Sequence, residues 1–198
     1  MDNSDALTPL YSHVVSSPVG DLGLVASSRG ITHVLFNPEQ QLKKLSQIYQ
    51  IFPARPDLAD EADERTAEYH LFLAAEQLDE YFTGKRRNFS LALDLEPDAL
   101  LRPSSSHRSK QPSGSFRTAA QLELLNIEYG QTASYGDIAE ALGSPGAARA
   151  VGGACANNPI PIIIPCHRVL PSTGKIGNYS GGTGPETKSF LLALESES

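Results

Sequence analysis

Ser134-Tyr135-Gly136-Asp137-Ile138-Ala139-Glu140-Ala141-Leu142-Gly143-Ser144-Pro145-Gly146-Ala147-Ala148-Arg149-Ala150-Val151-Gly152-Gly153 reads as two short helices joined by a turn. Ser134 can cap the first helix, with Asp137 three residues on as the reciprocal acid of a capping box, and Gly143 ends it. Ser144 is placed to cap the second, with Pro145 at its first position. Two short helices so joined make a helix-turn-helix, a pairing that compact helical domains of several kinds contain. At ~100° per residue, Ala147, Ala150, Val151 and Ala154 point one way along the second helix, and Arg149, Gly152 and Gly153 point the other. Glycine costs about 1 kcal/mol in a helix interior, so a pair on the exposed face calls for a compensating reason. Two reasons fit: close packing against another helix, or a surface without side chains that presses into a DNA groove with Arg149 as its one long projection.

Upstream of this pair, residues 116–127 read as a further helix. Before it, Arg102-Pro103-Ser104-Ser105-Ser106-His107-Arg108-Ser109-Lys110-Gln111-Pro112-Ser113-Gly114 has no apolar residue to bury, and its Ser/Pro/Gly content marks a flexible linker. Its cations Arg102, Arg108 and Lys110 read as a solvated loop, with phosphate contact as the alternative. The domain boundary therefore falls here, giving an N-terminal domain over 1–101, a linker over 102–114 and a C-terminal domain over 115–198. In the N-terminal part, Tyr11–Val15, Leu22–Ala26 and Ile31–Phe36 are β-rich runs separated by turn words, and they predict an antiparallel meander. Leu71, Ala75, Leu78 and Phe82 recur at helical spacing with Gly84 as the stop. Phe89, Leu91, Leu93 and Leu95 alternate as a half-buried strand, so this half reads as a small α/β scaffold.

Composition narrows the function. The net charge of -7 argues against a protein that coats nucleic acid through a basic surface. Residues 1–113 hold 11 Lys/Arg against 16 Asp/Glu, and residues 114–198 hold 5 against 7. Any DNA binding must therefore use a few well-placed cations and shape. The 2 cysteines, Cys155 and Cys166, form no CxxC pair, which argues against a disulfide scaffold or a Cys-rich zinc site. No window approaches the ~18 apolar residues of a membrane span. The expected protein is soluble, with no membrane partner, and a reactive thiol in it calls for a reducing compartment: the cytoplasm, or the nucleus in a eukaryote.

Such a thiol is suggested by Pro165-Cys166-His167-Arg168-Val169, which follows the apolar run Ile160-Pro161-Ile162-Ile163-Ile164. A cysteine beside a histidine, held between a stiff proline-rich strand and a turn, can present one pre-positioned thiolate to an electrophile. A single cysteine at the end of a buried strand is, on its own, more often a small inert hydrophobe. The surrounding words tip that balance. Ser134-Tyr135-Gly136, Ala147-Ala148-Arg149-Ala150-Val151-Gly152, Asn158-Pro159-Ile160-Pro161, Pro165-Cys166-His167-Arg168-Val169, Gly177-Asn178-Tyr179-Ser180-Gly181-Gly182 and Leu191-Leu192-Ala193-Leu194-Glu195 occur in that order over about a third of the chain. In this stretch the chain closely resembles the O6-alkylguanine-DNA alkyltransferases, with a looser match upstream at Tyr81-Phe82-Thr83-Gly84.

The resemblance implies an α+β chain: a small N-terminal α/β domain of ribonuclease H-like fold, then a helical, winged helix-turn-helix domain. It implies DNA repair by direct damage reversal, in which the alkyl group of O6-alkylguanine, and of O4-alkylthymine, passes irreversibly to Cys166 after base flipping. By the same resemblance His167 acts on the thiol through a water and is oriented by Glu195, and Tyr135 donates to the guanine ring nitrogen. Asn158 ties the recognition helix to the cysteine loop. Tyr179 flanks the alkyl group, the Ser180 N–H meets guanine O6, the Val169 carbonyl reads the exocyclic amine with that of Cys166, and Lys188 lies beside the pocket. On the DNA side, Arg149 fills the gap left by the flipped base, on a helix face that includes Ala147, Ala148, Gly152 and Gly153. The expected partner is double-stranded DNA containing O6-alkylguanine, the expected state a monomer, and no cofactor or metal is expected.

Three departures limit the carry-over: residues 183–187 are about two residues longer than the usual family form and contain Pro185; Cys155 stands where the family often has methionine; and the N-terminal half lacks the cysteine through which some members bind zinc. Besides a Cys-His hydrolase, which would require an oxyanion hole and turnover, two alternatives remain open from sequence. One is a sensor of alkylated DNA that does not repair it, which the presence of Cys166 disfavours. The other is a helix-turn-helix regulator, for which Pro145-Gly146-Ala147-Ala148 offers no donors to base edges.

Overall fold

The computed structural model describes residues 9–54, 66–95 and 116–196. Among them, 9–54, 66–80 and 89–95 form one compact unit, and 81–88 with 116–196 form a second. The linker over 102–114, with Arg102, Arg108 and Lys110, lies outside the described residues.

The first unit is built on the meander: β1 (Leu10–Val15) pairs antiparallel with β2 (Leu22–Ser27), and β2 with β3 (Gly30–Phe36). Every residue of β2 is buried, as expected for an inner strand covered on both faces. Two elements have no clear sequence signal: α1 (Pro38–Leu45), which buries none of its residues, and β4 (Ile51–Pro53), which pairs parallel with β1 and completes the order β3-β2-β1-β4. Helix α2 (Ala67–Phe82) matches the predicted periodicity. The strand expected over residues 89–95 is reduced to one bridge between Ile31 and Leu93. Its alternation breaks at Asp94, a carboxylate drawn inward by Ser27 Oγ at 2.7 Å and by Arg29 Nε and Nη2 at 3.1 and 3.0 Å.

The second unit carries the helix-turn-helix. After α3 (Phe116–Glu123), Ala133–Ser134 forms β5 and leads straight into α4 (Tyr135–Ala141). The capping box is present: Asp137 N donates to Ser134 Oγ at 3.1 Å, and Ser134 N donates to Asp137 Oδ2 at 2.8 Å. The predicted start of the second helix is corrected. Helix α5 spans Ala148–Ala156 with Ala147 as an N-cap that makes no side-chain bond, and Ser144 does not cap it. Instead Ala147 N donates to the Ser144 carbonyl at 3.0 Å across Pro145-Gly146, with Gly146 at φ 95°. Proline then a positive-φ glycine is the signature of a type II turn, which outcompetes a helical turn at those residues.

The face reading of α5 also changes. Val151, Ala154 and Cys155 are buried, while Ala150 is exposed beside Arg149 and Gly153. Gly152 is half-buried because its Cα faces the Tyr135 ring, 3.9 Å from where a Cβ would stand, whereas nothing lies within 4 Å of that point at Gly153. Close helix packing therefore does not account for Gly153 among the described residues.

The run Ile160–Ile164 is a tight turn and not the expected strand: Ile164 N donates to Ile160 O at 2.9 Å, and Ile162 sits at φ 75°. Pro161 and Pro165 lack the N–H groups a strand ladder needs. The apolar side chains at 160 and 162–164 are buried all the same, and a β-branched residue at positive φ is a strain that such packing must hold in place. Beyond this turn come a 3-10 turn at Cys166–Arg168, β6 (Val169–Leu170) pairing parallel with β5, and α6 (Pro185–Ser196).

Candidate active site

The β5–β6 pairing sets Ala133 opposite Val169 and Ser134 opposite Leu170. It thereby joins the start of α4, where Tyr135 sits, to the residue that follows the Cys-His-Arg turn. Cys166 is 3 % exposed. Asn158 Nδ2 donates to its Sγ at 3.1 Å and to the Ile164 carbonyl at 2.8 Å, while Asn158 Oδ1 accepts from Ile160 N at 3.0 Å. One amide thus fixes both ends of the strained turn and touches the sulfur. Burial pushes the Cys166 thiol up; the Asn158 hydrogen bond, the Lys188 charge and a hydrogen bond with Tyr179 pull the other way. Cys166 is therefore a thiol at rest, and its proton must have somewhere to go.

The next residue offers an unpartnered ring nitrogen. His167 is fully buried, and its Nε2 lies 2.8 Å from Glu195 Oε1. An ionised carboxylate only accepts, so Nε2 carries the hydrogen and Nδ1 keeps its lone pair. No protein atom partners that Nδ1 among the described residues. Burial holds His167 below its ordinary value, against the raising effect of Glu195, so the ring is neutral and basic at Nδ1.

Glu195 is far from the frayed surface acid that its place near the C-terminal end suggests. It is 3 % exposed and gathers His167 Nε2, Arg168 Nε at 2.8 Å, Arg168 Nη2 at 3.0 Å, Tyr81 Oη at 2.8 Å and Gly130 N at 3.2 Å. Burial would raise its carboxyl, but the hydrogen bonds from His167 and Arg168 and the Arg168 charge outweigh it and hold it at about 2. Neither Arg168 nor Tyr81 stands out in sequence as a site residue. Arg168 lies within the Cys-His-Arg word, yet only the folded chain shows its guanidinium turned inward onto Glu195 and the Ile127 carbonyl.

Lys188 is also fully buried and donates from Nζ to the Val169 carbonyl, at 2.6 Å. The carbonyl expected to read the exocyclic amine thus already holds an ammonium on one lone pair, leaving the other available. Burial holds Lys188 below its ordinary value, while Cys166 and Cys155 oppose this. Tyr135 is half-buried, and its hydroxyl lies 3.9 Å from where a Cβ on Gly177 would stand. Burial, then Cys155 and Cys166, push its phenol up, so it remains a donor. Burial and Cys166 push the Tyr179 phenol up likewise. Ser180 is exposed, and no contact places its N–H. Cys155 is buried in α5 and pushed up to about 12, first by burial and then by Cys166, which fits inert packing.

In the long loop before α6, Gly182 at φ 55° abuts Thr187, whose Oγ1 accepts from Thr183 N at 3.0 Å, and Pro185 takes the first helical position. On α5, Arg149, Ala150 and Gly153 are exposed, and Ala147 and Ala148 are half-buried. Among the described residues no group of His, Cys, Asp and Glu could hold a metal ion, and no helix is long and apolar enough to cross a membrane.

A small α/β unit, a helix-turn-helix unit and a buried cysteine followed by a histidine held on Glu195 are the parts of a DNA-directed alkyltransferase. Residues 10–95 match the ribonuclease-like domain of 6-O-methylguanine DNA methyltransferase, and residues 115–197 match its DNA-binding domain; the chain belongs to this family, whose members repair DNA by alkyl transfer to a protein cysteine. It is 34% identical over 186 residues to the methylated-DNA--protein-cysteine methyltransferase of Mycobacterium tuberculosis, covering 94% of this chain and 92% of that one. Two crystal structures from that organism superpose closely. The O6-methylguanine methyltransferase gives a TM-score of 0.69 at 33% identity, covering 95% and 93% of the two chains. The OGT complex with DNA gives 0.66 at 32% identity, covering 96% and 93%.

Proposed function

We propose that the protein removes alkyl groups from O6-alkylguanine, and from O4-alkylthymine, in double-stranded DNA by transferring them to Cys166 in one irreversible turnover. The observation that carries this reading is the His167–Glu195 contact, which leaves a neutral imidazole with a free Nδ1 beside the only cysteine that has an activating neighbour. The thiol proton passes to His167 Nδ1, through one water. The Sγ–C bond forms as the C–O6 bond breaks, and the electron pair goes to the guanine ring. Tyr135 stabilises that anion by donating to a ring nitrogen, and a proton returns to the ring, so thiol and alkylguanine become thioether and guanine. A thioether has no leaving route, so the protein acts once.

The target base lies inside the stack and must be flipped out, at a cost of a few kcal/mol. The exposed face of α5, with Arg149, Ala150 and Gly153, suits this. Small residues admit the groove floor, and Arg149 fills the vacated space. With few cations in this half, binding is nearly independent of sequence and of micromolar order. Tyr179, Ser180, Val169 and Lys188 surround the base and its alkyl group, and Asn158 couples α5 to the thiol. The two buried free thiols suit a monomer in a reducing compartment, the cytoplasm or, in a eukaryote, the nucleus.

Intact-mass and peptide analysis after incubation with DNA bearing O6-methylguanine tests the assignment. One equivalent of about 14 Da, a methyl in place of hydrogen, should appear on the peptide containing Cys166. Label on Cys155, or many turnovers per protein, would overturn it.

A further inference from the structure

We propose that Tyr81 is a positioning residue for alkyl transfer: given the roles proposed above for His167 and Glu195, its phenol shares the Glu195 oxygen that holds His167 and limits how strongly that oxygen stabilises the imidazolium. Tyr81 is fully buried at the end of α2, in the segment that belongs to the second unit. Its ring stands edge-on to Phe82 at 5.3 Å and to Tyr129 at 6.1 Å.

A carboxylate offers about four lone-pair sites. Among the described residues Glu195 has five donors, three of them on Oε1: Tyr81 Oη, His167 Nε2 and Arg168 Nη2. The other two, Arg168 Nε and Gly130 N, lie on Oε2. The donors therefore compete, and Tyr81 Oη and Arg168 Nη2 draw charge from the oxygen that faces His167. Apart from His167 itself, Tyr81 is the uncharged side chain among them; burial and the neighbouring Glu195 keep its phenol protonated throughout.

The remaining charged and titratable groups around this pair are few. Lys188 and Arg168 bear on His167 and Cys166 lies next to it, while Tyr129 stands by Tyr81 with the Arg87 and Arg168 guanidinium groups each 5.8 Å from its ring centre. A Glu195 oxygen relieved of Tyr81 would raise the share of His167 held as imidazolium before the thiol proton arrives. A shared one leaves it neutral and ready to accept.

Single-turnover rate against pH, together with NMR titration of the His167 ring, decides this in Tyr81→Phe and in a protein carrying 3-fluorotyrosine at position 81. Tyr81→Phe should move the acid limb of the rate and the His167 titration upward together, by about half a pH unit. The fluorinated ring keeps the fold and donates more strongly, so it should move both downward. If both are unchanged in the two proteins while only the melting temperature falls, Tyr81 is structural and the inference fails. If the His167 titration moves but the rate limb does not, His167 is not the base, and it is the reading of the site that fails.

Discussion

The Asn158 amide donates to Cys166 Sγ at 3.1 Å with the same nitrogen that holds the Ile164 carbonyl at 2.8 Å. The thiolate that forms during transfer therefore meets a donor already fixed by the backbone turn. Asn158→Ala should raise the thiol further and slow transfer by about 10- to 100-fold, the usual size of a hydrogen bond to a charged group. Thiolate absorbance against pH and single-turnover rates check this; slower transfer with an unmoved thiol titration would assign Asn158 to the turn alone.

Arg149 is exposed on the first turn of α5 and is not among the side chains that contact Cys166 or Glu195 in the described residues. Arg149→Ala should therefore slow repair of duplex DNA by up to about 100-fold, a few kcal/mol of flipping cost, and leave reaction with a free O6-alkylguanine base almost unchanged. Equal losses on both substrates would show that Arg149 supports the pocket.

Gly153 keeps a helical position where a Cβ would meet nothing within 4 Å. Gly153→Ala should stabilise the fold by roughly 0.5–1 kcal/mol, seen as a higher melting temperature. Duplex binding, measured by titration of labelled DNA, should weaken at the same time because the added methyl holds the backbone off the groove. Unchanged affinity would remove this residue from the proposed DNA face.

Stability should fall on acidification in two steps. His167 is held below its ordinary 6.5 when folded, so the unfolded chain binds the extra proton and stability drops as pH falls below 6.5. Glu195 sits at about 2 against 4.5, so its contribution is full above 4.5 and is lost as pH falls toward 2; it is on the order of 3 kcal/mol. Urea midpoints across this range should show both steps, and Glu195→Gln should abolish the lower one. On the alkaline side Cys155, ordinarily 9.0 and here about 12, makes stability decline above pH 9 because the unfolded thiol ionises first.

Sequence alone determined the local parts. The meander, α2, the capping box at Ser134 and Asp137 and the helix pair all follow from periodicity and caps, which act within a few residues. The Pro-Cys-His-Arg-Val word and its ordered neighbours pointed to the family and picked out Cys166 and His167 as candidates. Tertiary structure decided what depends on distant partners. It turned Ile160–Ile164 from a strand into a strained turn around Asn158, delayed the start of α5 through the Pro145-Gly146 turn, and reduced residues 89–95 to one bridge by drawing Asp94 inward. Above all, it made an acid near the chain's end into the buried carboxylate on which Tyr81, Gly130, His167 and Arg168 converge. Those donors lie up to 114 positions from Glu195, and no local propensity encodes a hydrogen bond across such a separation. Only burial in a common core, where a charge must be fully satisfied, brings them together.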